Sequence, residues 1–328
     1  MDSITKNRQS TTTLRAMVER AYGPQQVPDG DDFATELSYG FFNVLYRVRL
    51  KDGAQVVLKI APPGDVAVLT HENGMMRNEL AAMDLVRRES DVPIPRVDYV
   101  DLTGELIEAD WFFMEYVDAP CFGIAVETGE LSAEEVDAGF EDLGGVNRRL
   151  TEIVGPHFGP LGGEGFATWR DAATSLFENL LTDGEKAAVD LGWTYDDVRQ
   201  TWRHHANALD EVTEPRFVEV DLWAKNAMIR DGRIIAVIDH ERAIFGDPLM
   251  EAGLTGLDLT VFPDPAPFMR GFGIDELTDS QCRRRRLYTL WLAVVMVVET
   301  PYRGLPPKQY RWACEQLDIA MGLLGRVK

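Results

Sequence analysis

The sequence predicts an α+β chain of two lobes, an antiparallel-sheet lobe over residues 1–117 and a mainly helical lobe over residues 118–328. Three observations carry this expectation. Short, partly alternating apolar runs at 44–50 and 55–60 flank Asp52-Gly53, and Asp-Gly supplies the positive φ angles of a tight hairpin turn. Past Asp118-Ala119-Pro120 the apolar residues recur at helical spacing instead. A second hairpin signature, 227–230 and 233–238 around Asp231-Gly232, interrupts those helices.

In chain order, residues 1–12 are polar and read as a frayed end. Leu14, Met17, Val18 and Ala21 make one face of a helix that stops at Gly23-Pro24. The turn from Ser38 to Asn43 precedes the first hairpin, and its Gly40 permits close backbone approach to a ligand. Residues 72–88 form a helix with Met76, Leu80, Met83 and Val86 on one face, ended by Pro93 and Pro95. A strand over 111–117 closes the first lobe. Helices are expected near 132–153, 168–182, 195–210, 248–256, 283–299 and 307–325, with the second hairpin inside 216–239.

Composition narrows the function classes. With 45% apolar and 27% charged residues, the chain is an ordinary globule. Its longest apolar stretch lies within 287–298, well short of the ~20 residues that span a bilayer. No membrane partner is expected. The N-terminus carries no apolar signal region, so a cytoplasmic location is expected. Cys121, Cys282 and Cys314 have no metal-type spacing and read as reduced thiols. A net charge of −21 argues against a nucleic-acid partner and favours a cationic small molecule near a cleft, although solubility explains most of the charge. The basic run from Arg283 to Arg286 reads as a helix start or a salt-bridged face.

The chemistry-bearing stretch is Asp221-Leu-Trp-Ala-Lys-Asn226 with Asp239 beyond the second hairpin. Phosphoryl transfer from a nucleotide needs one carboxylate to orient a hydroxyl, and an amide and a carboxylate to hold magnesium. The hairpin would set Asn226 and Asp239 side by side at its open end. Upstream, Lys59 follows an apolar strand, and the next helix offers Glu79, favoured over Glu72, as the carboxylate that would steady its ammonium. The segment 114–117 offers the backbone of Glu115 and Val117 as a site for reading adenine. Neither a Gly-x-x-x-x-Gly-Lys loop nor His-Glu-x-x-His nor Cys-x-x-Cys is present.

Val220-Asp-Leu-Trp-Ala-Lys-Asn226, Val237-Ile-Asp-His-Glu-Arg-Ala243 and Gly246-Asp-Pro248 resemble the aminoglycoside phosphotransferase and choline kinase branch of the protein-kinase-like fold. The resemblance covers about residues 35–255. It implies a two-lobed protein-kinase-like fold and transfer of phosphate from ATP or GTP, with Mg2+, to a hydroxyl of a small molecule. By the same resemblance Asp221 is the catalytic carboxylate, Asn226 and Asp239 hold magnesium, and Lys59, steadied by Glu79, reaches the phosphates. Ser38, Gly40 and Phe41 belong to the phosphate-covering turn, and Asp247 takes backbone N–H groups of the catalytic loop or caps the turn at Pro248. The acceptor pocket is expected to draw on Glu241, Glu251, Asp258, Trp169 and Trp291. The acceptor itself could be an aminoglycoside or other antibiotic, or a metabolic amino alcohol or sugar. One position departs from the family: a histidine usually stands two residues before the catalytic aspartate, and this chain has Glu219 there. Like-charge repulsion with Asp221 is the consequence, unless Glu219 has a cationic partner such as Arg216. The departure also leaves open a nucleotide-binding protein without catalysis.

Overall fold

The computed structural model describes residues 3–37, 40 and 42–325. The chain forms two compact units, one of Met1–Val68, Pro95–Asp118 and Tyr302–Leu305, the other of Leu69–Ile94, Ala119–Pro301 and Pro306–Lys328.

The first unit is an antiparallel sheet with one helix against it. Helix α1 (Thr11–Tyr22) starts at Ser10, whose hydroxyl accepts the Thr13 N–H at 3.1 Å. Strands β1 (Ala34–Leu37), β2 (Val44–Arg49), β3 (Gln55–Ile60), β4 (Val97–Asp101) and β5 (Trp111–Glu115) lie in the order β1-β2-β3-β5-β4. Side chains alternate across a strand. Val44, Tyr46 and Val48 of β2, Val56, Leu58 and Ile60 of β3, and Trp111 and Phe113 of β5 therefore share one face, where they meet Leu14, Met17 and Val18 of α1. Lys59 is out of phase with that set and stands opposite Phe112 in the ladder, on the other face, 2% exposed.

Residues 3–10, expected to fray, are tied to this unit. Lys6 donates to the Asn43 carbonyl at 2.6 Å, Asn7 to the Ala61 carbonyl at 3.1 Å, and Arg8 pairs with Glu36 at 2.8 Å. Strand β4 gave no alternating signal because acidic residues punctuate it; the buried Asp101 is satisfied by Thr103 and Arg20.

In the second unit, helix α2 (Met75–Glu89) follows a 3-10 turn at Thr70–Glu72. The sequence placed this segment in the sheet lobe. It groups with the second unit because Asn78 donates to the carbonyls of Glu241 and Ala243 (3.0 and 2.8 Å) and Thr70 binds Asp183 through N–H and hydroxyl (2.6 and 2.7 Å). Then come α3 (Phe122–Thr128), α4 (Ala133–Leu150), β6 (Gly159–Pro160), α5 (Trp169–Lys186), α6 (Tyr195–His205), β7 (Arg216–Val218), β8 (Ala227–Arg230), β9 (Arg233–Val237), β10 (Ile244–Gly246), α7 (Ala266–Phe272), α8 (Asp279–Tyr302) and α9 (Pro307–Leu324). Strands pair as β6-β10-β7 and as the hairpin β8-β9.

The helix expected over 248–256 is two 3-10 turns, Pro248–Met250 and Ala252–Leu257. Glu251 sits between them and its carboxylate accepts the Ala252 N–H, a local bond that competes with helix continuation. Helix α8 carries the core of the unit, with Leu287, Leu290, Val294 and Val297 fully buried. No helix among the described residues is long and apolar enough to cross a membrane. The three cysteines are free.

Helices α4 and α7 touch backbone to backbone. A Cβ at Gly144 would lie 2.0 Å from the Phe268 carbonyl oxygen, and one at Gly271 would lie 1.7 Å from that of Glu141. Through Asp142, α4 also binds the first turn of the hairpin's return strand, accepting Ile234 N–H at 2.7 Å and Arg233 at 3.2 Å. Alanine is worth about 1 kcal/mol over glycine inside a helix. A backbone oxygen cannot rotate away, however, and overpacking costs about 1–3 kcal/mol. Gly144→Ala is therefore expected to be net destabilising, read as a lower urea midpoint; an unchanged or higher midpoint would show that the helices part freely.

Candidate active site

Strand β7 ends at Val218 and feeds Glu219, Val220 and Asp221 into the loop that precedes the β8-β9 hairpin. Asp231 and Gly232 turn that hairpin with φ of +52° and +70°, as Asp-Gly predicts. Its ladder runs from Arg230 opposite Arg233 to Ala227 opposite Val237. One further bond, from the Ile238 N–H to the Asn226 carbonyl at 2.9 Å, closes the open end. Asn226 and Asp239 thus flank the mouth of the hairpin.

Asp221 is held at both carboxylate oxygens. The Trp223 indole N–H donates to Oδ1 at 2.6 Å, and the Asn226 amide nitrogen lies 3.4 Å from Oδ2 and 2.8 Å from the Asp221 backbone oxygen. Because the Asn226 nitrogen is committed to these acceptors, its Oδ1 is turned the other way, as an accepting end. Trp223 was visible in the motif, but nothing in the sequence shows that its ring folds back two residues.

Val220 and Asp239 have φ of +67° and +69°, in the left-handed region that non-glycine residues seldom occupy. Each costs on the order of 1–2 kcal/mol, and such strain persists only where the surroundings impose it. Their chain neighbours Glu219 and His240 meet, Oε1 to Nδ1, at 2.8 Å, with side chains 3% and 0% exposed. His240 Nε2 faces the Val237 carbonyl at 3.2 Å. Burial opposes a charge on the imidazole, but the Glu219 carboxylate overrides it and the His240 pKa is raised. Arg216, the sequence candidate for pairing Glu219, instead pairs with Glu214 and donates to the Thr151 carbonyl. Arg216 is the first residue of β7, at the end of the strand away from the loop.

Carboxylate oxygens of Glu79, Asp239 and Glu241 lie within 4.8 Å of one another. Glu79 comes from α2, which Asn78 ties to the Glu241 and Ala243 carbonyls. Lys59 belongs to the first unit. Of the phosphate turn, Ser38 and Phe41 lie outside the described residues; a Cβ at Gly40 would lie 3.7 Å from the Lys6 ammonium. The Glu115 N–H is committed to the Arg96 carbonyl at 2.8 Å, and Val117 follows the last paired residue of β5.

Three residues expected on the acceptor wall turn inward. Trp169 is fully buried and donates to the Tyr288 hydroxyl at 2.7 Å. Asp258 accepts the Thr289 hydroxyl at 2.7 Å. Glu251 is fully buried, and its Oε1 accepts the N–H of Leu222 at 2.9 Å and of Ala252 at 3.0 Å. The catalytic-loop N–H expected at Asp247 thus goes to Glu251. Asp247 caps its own turn through the Leu249 N–H and accepts Arg284 at 2.7 Å and the Tyr288 hydroxyl at 2.6 Å. Trp291 remains, 7% exposed, its ring 6.2 Å from that of His71. Sequence reading missed Arg242. Burial opposes its charge, yet Asp221, Glu299, Glu72 and Glu241 together raise its pKa. It also missed a row of rings beside Asp221, Trp223 stacked on Phe262 at 5.2 Å and Phe262 against Trp312 at 6.3 Å.

Burial pushes the Glu251 carboxyl up to about 7; the Leu222 and Ala252 N–H groups pull the other way, and Glu219 and Asp221 push further up. The folded protein then holds this proton more tightly than the unfolded chain does. The stability it contributes is greatest below the unfolded carboxylate pKa and falls as pH rises towards about 7. The drop over that window is about 3 kcal/mol, at ~1.4 kcal/mol per unit. Glu251→Gln keeps an oxygen for both N–H groups and is expected to flatten thermal stability between pH 5 and 8; melting curves that track the parent's pH dependence would refute this.

A model of the phosphotransferase enzyme family matches residues 34–288. No curated protein matches the sequence. Among solved structures, a thermostable mutant of aminoglycoside phosphotransferase APH(4)-Ia is similar with a TM-score of 0.69 at 18% identity, covering 93% of this chain and 98% of that one. A putative fructosamine-3-kinase from Thermobifida fusca gives 0.64 at 19%, covering 95% and 99%. A putative aminoglycoside phosphotransferase from Ralstonia eutropha gives 0.63 at 14%, covering 97% and 98%. Likeness at these identities shows the kinase-like fold, and the family match spans most of the sequence: the chain belongs to the phosphotransferase enzyme family.

Proposed function

We propose that the protein transfers the γ-phosphoryl group of ATP or GTP to a hydroxyl of a small molecule, with Asp221 as the catalytic carboxylate. The observation that carries this reading is the double hold on Asp221 by Trp223 and Asn226. It fixes the carboxylate while leaving lone pairs for an incoming O–H. As the acceptor oxygen bonds to phosphorus and the bond to the nucleoside diphosphate breaks, Asp221 takes the hydroxyl proton. Catalysis is then mainly positioning, with no covalent enzyme intermediate.

The residues fit magnesium. Asn226 Oδ1 and the converging oxygens of Asp239, Glu241 and Glu79 are hard donors of the kind a small divalent cation takes. When bound, the metal supplies neutralisation of phosphate charge. Lys59, Ser38, Gly40 and Phe41 are proposed for the phosphates, and the backbone of Glu115 and Val117 for the base. A separate structure of a thermostable APH(4)-Ia mutant, a ternary complex with AMP-PNP and hygromycin B, is also similar to this chain, which supports a nucleotide and a small-molecule acceptor as the substrate classes. On the acceptor side, the ring row at Trp223, Phe262 and Trp312 and the carboxylates around Arg242 favour an amine-bearing compound with an apolar face. Resistance to an antibiotic and metabolism of an amino alcohol or sugar share that chemistry.

ADP and GDP release with magnesium, measured across aminoglycosides, other hydroxylated antibiotics, choline-type amines and sugars, tests the reading. Acceptor-stimulated release is expected to fall in Asp221→Ala by about 100- to 10,000-fold, the contribution of a positioned base. Release that persists in that variant would remove Asp221 from the role. Trp223→Phe keeps the stack on Phe262 and loses the N–H donor. It is expected to lower kcat by about tenfold, the worth of one hydrogen bond to a charged group, with KM little changed.

A further inference from the structure

We propose that Glu219 and His240 act as a positioning pair that locks the Asp221 loop to the Asp239 loop, with Glu219 at the position where the family usually has a histidine. The proposal rests on the phosphotransferase reading for what the two loops do, but its geometry stands on the pair itself.

Glutamate stands where the family usually has a histidine, and a histidine directly follows Asp239. The side chains meet at 2.8 Å with almost no exposure, so each answers the other's burial. Both imidazole nitrogens face acceptors, Glu219 Oε1 and the Val237 carbonyl. The ring thus lies between the Glu219 carboxylate and the last residue of β9.

Placement gives the pair its leverage. Val220, at φ +67°, separates Glu219 from Asp221, and Asp239, at φ +69°, directly precedes His240. Backbone in that region relaxes unless something on either side forbids it. Glu219 forbids it on the Asp221 loop and His240 on the Asp239 loop, and one hydrogen bond joins the two. Loss of either member frees a strained turn beside an acidic residue of the site and leaves the other member buried without its hydrogen-bond partner.

Hydrogen exchange tests the coupling without requiring activity. In Glu219→Ala, the amides of 220–223 and of 238–241 are expected to lose protection together, with α6 unchanged, and His240→Ala is expected to do the same. Loosening confined to the loop that carries the substitution overturns the proposal. Kinetics tests the consequence: Glu219→His and His240→Phe alone are each expected to lower kcat by about 10- to 100-fold, as loss of a supporting partner does, with KM changing little. The loss in the double variant is expected to be smaller than the product of the two single losses. A double loss equal to that product overturns the pairing even if each variant folds. A parent protein that phosphorylates no acceptor would defeat the phosphotransferase reading, and the exchange result would still decide the pair.

Discussion

The bond from the Ile238 N–H to the Asn226 carbonyl is the constraint on which the rest of the site depends. Without it the hairpin ladder would end at Ala227 and Val237, and the two segments beyond would diverge as free chain. With it, residues far apart in sequence are presented at one mouth, and side-chain bonds can finish the arrangement. Trp223 and Asn226 settle on Asp221, and Asn78 fastens α2 to the Asp239 loop. Each later contact is short-range because this backbone bond has already removed the loop entropy.

A second layer of charge supports the loop from below. Arg284 and Arg285 of the basic run face inward, whereas Arg283 is exposed. Arg284 joins Asp247, which also takes the Tyr288 hydroxyl, and Arg285 donates to the Leu249 carbonyl at 2.6 Å. Helix α8 therefore meets the turns at 247–257 through buried ionic groups, and Glu251 passes that order on to the Leu222 N–H. Burial and the neighbouring Asp247 carboxylate raise the Tyr288 pKa well above its ordinary value, keeping it a hydroxyl donor.

Legibility in the sequence tracked the range of the determining interaction. Hairpins at 44–60 and 227–237 were readable because Asp-Gly and alternation are local, and with the second hairpin so was the placing of Asn226 and Asp239 at its open end. The partner of Glu219 was not. Arg216 is closer in sequence, but His240 is delivered by the far strand of the hairpin, and sequence distance says nothing about that. Glu251 and Asp258 were placed on the acceptor pocket because acidic groups there would suit an amine-bearing compound. Their burial depends on amides and hydroxyls supplied by the 222–252 turns and by α8. The grouping of α2 with the second unit depends likewise on Asn78, an unremarkable residue in a helical repeat.

The contact between α4 and α7 extends this reach to two helices that carry no residue of the candidate site. Gly271 lies against the Glu141 carbonyl, the neighbouring Asp142 holds Ile234, and the strand that starts there ends just before Asp239. Position passes along this series of close contacts as through touching solid bodies. The spacing of the two helices is thereby linked to the backbone that leads into Asp239. Chemistry at position 271 is then irrelevant and volume is everything. A family of such enzymes would be free to vary the exposed face of α7 in charge and polarity, yet would retune the alignment of its acidic residues by adding or removing a single methyl group along that seam.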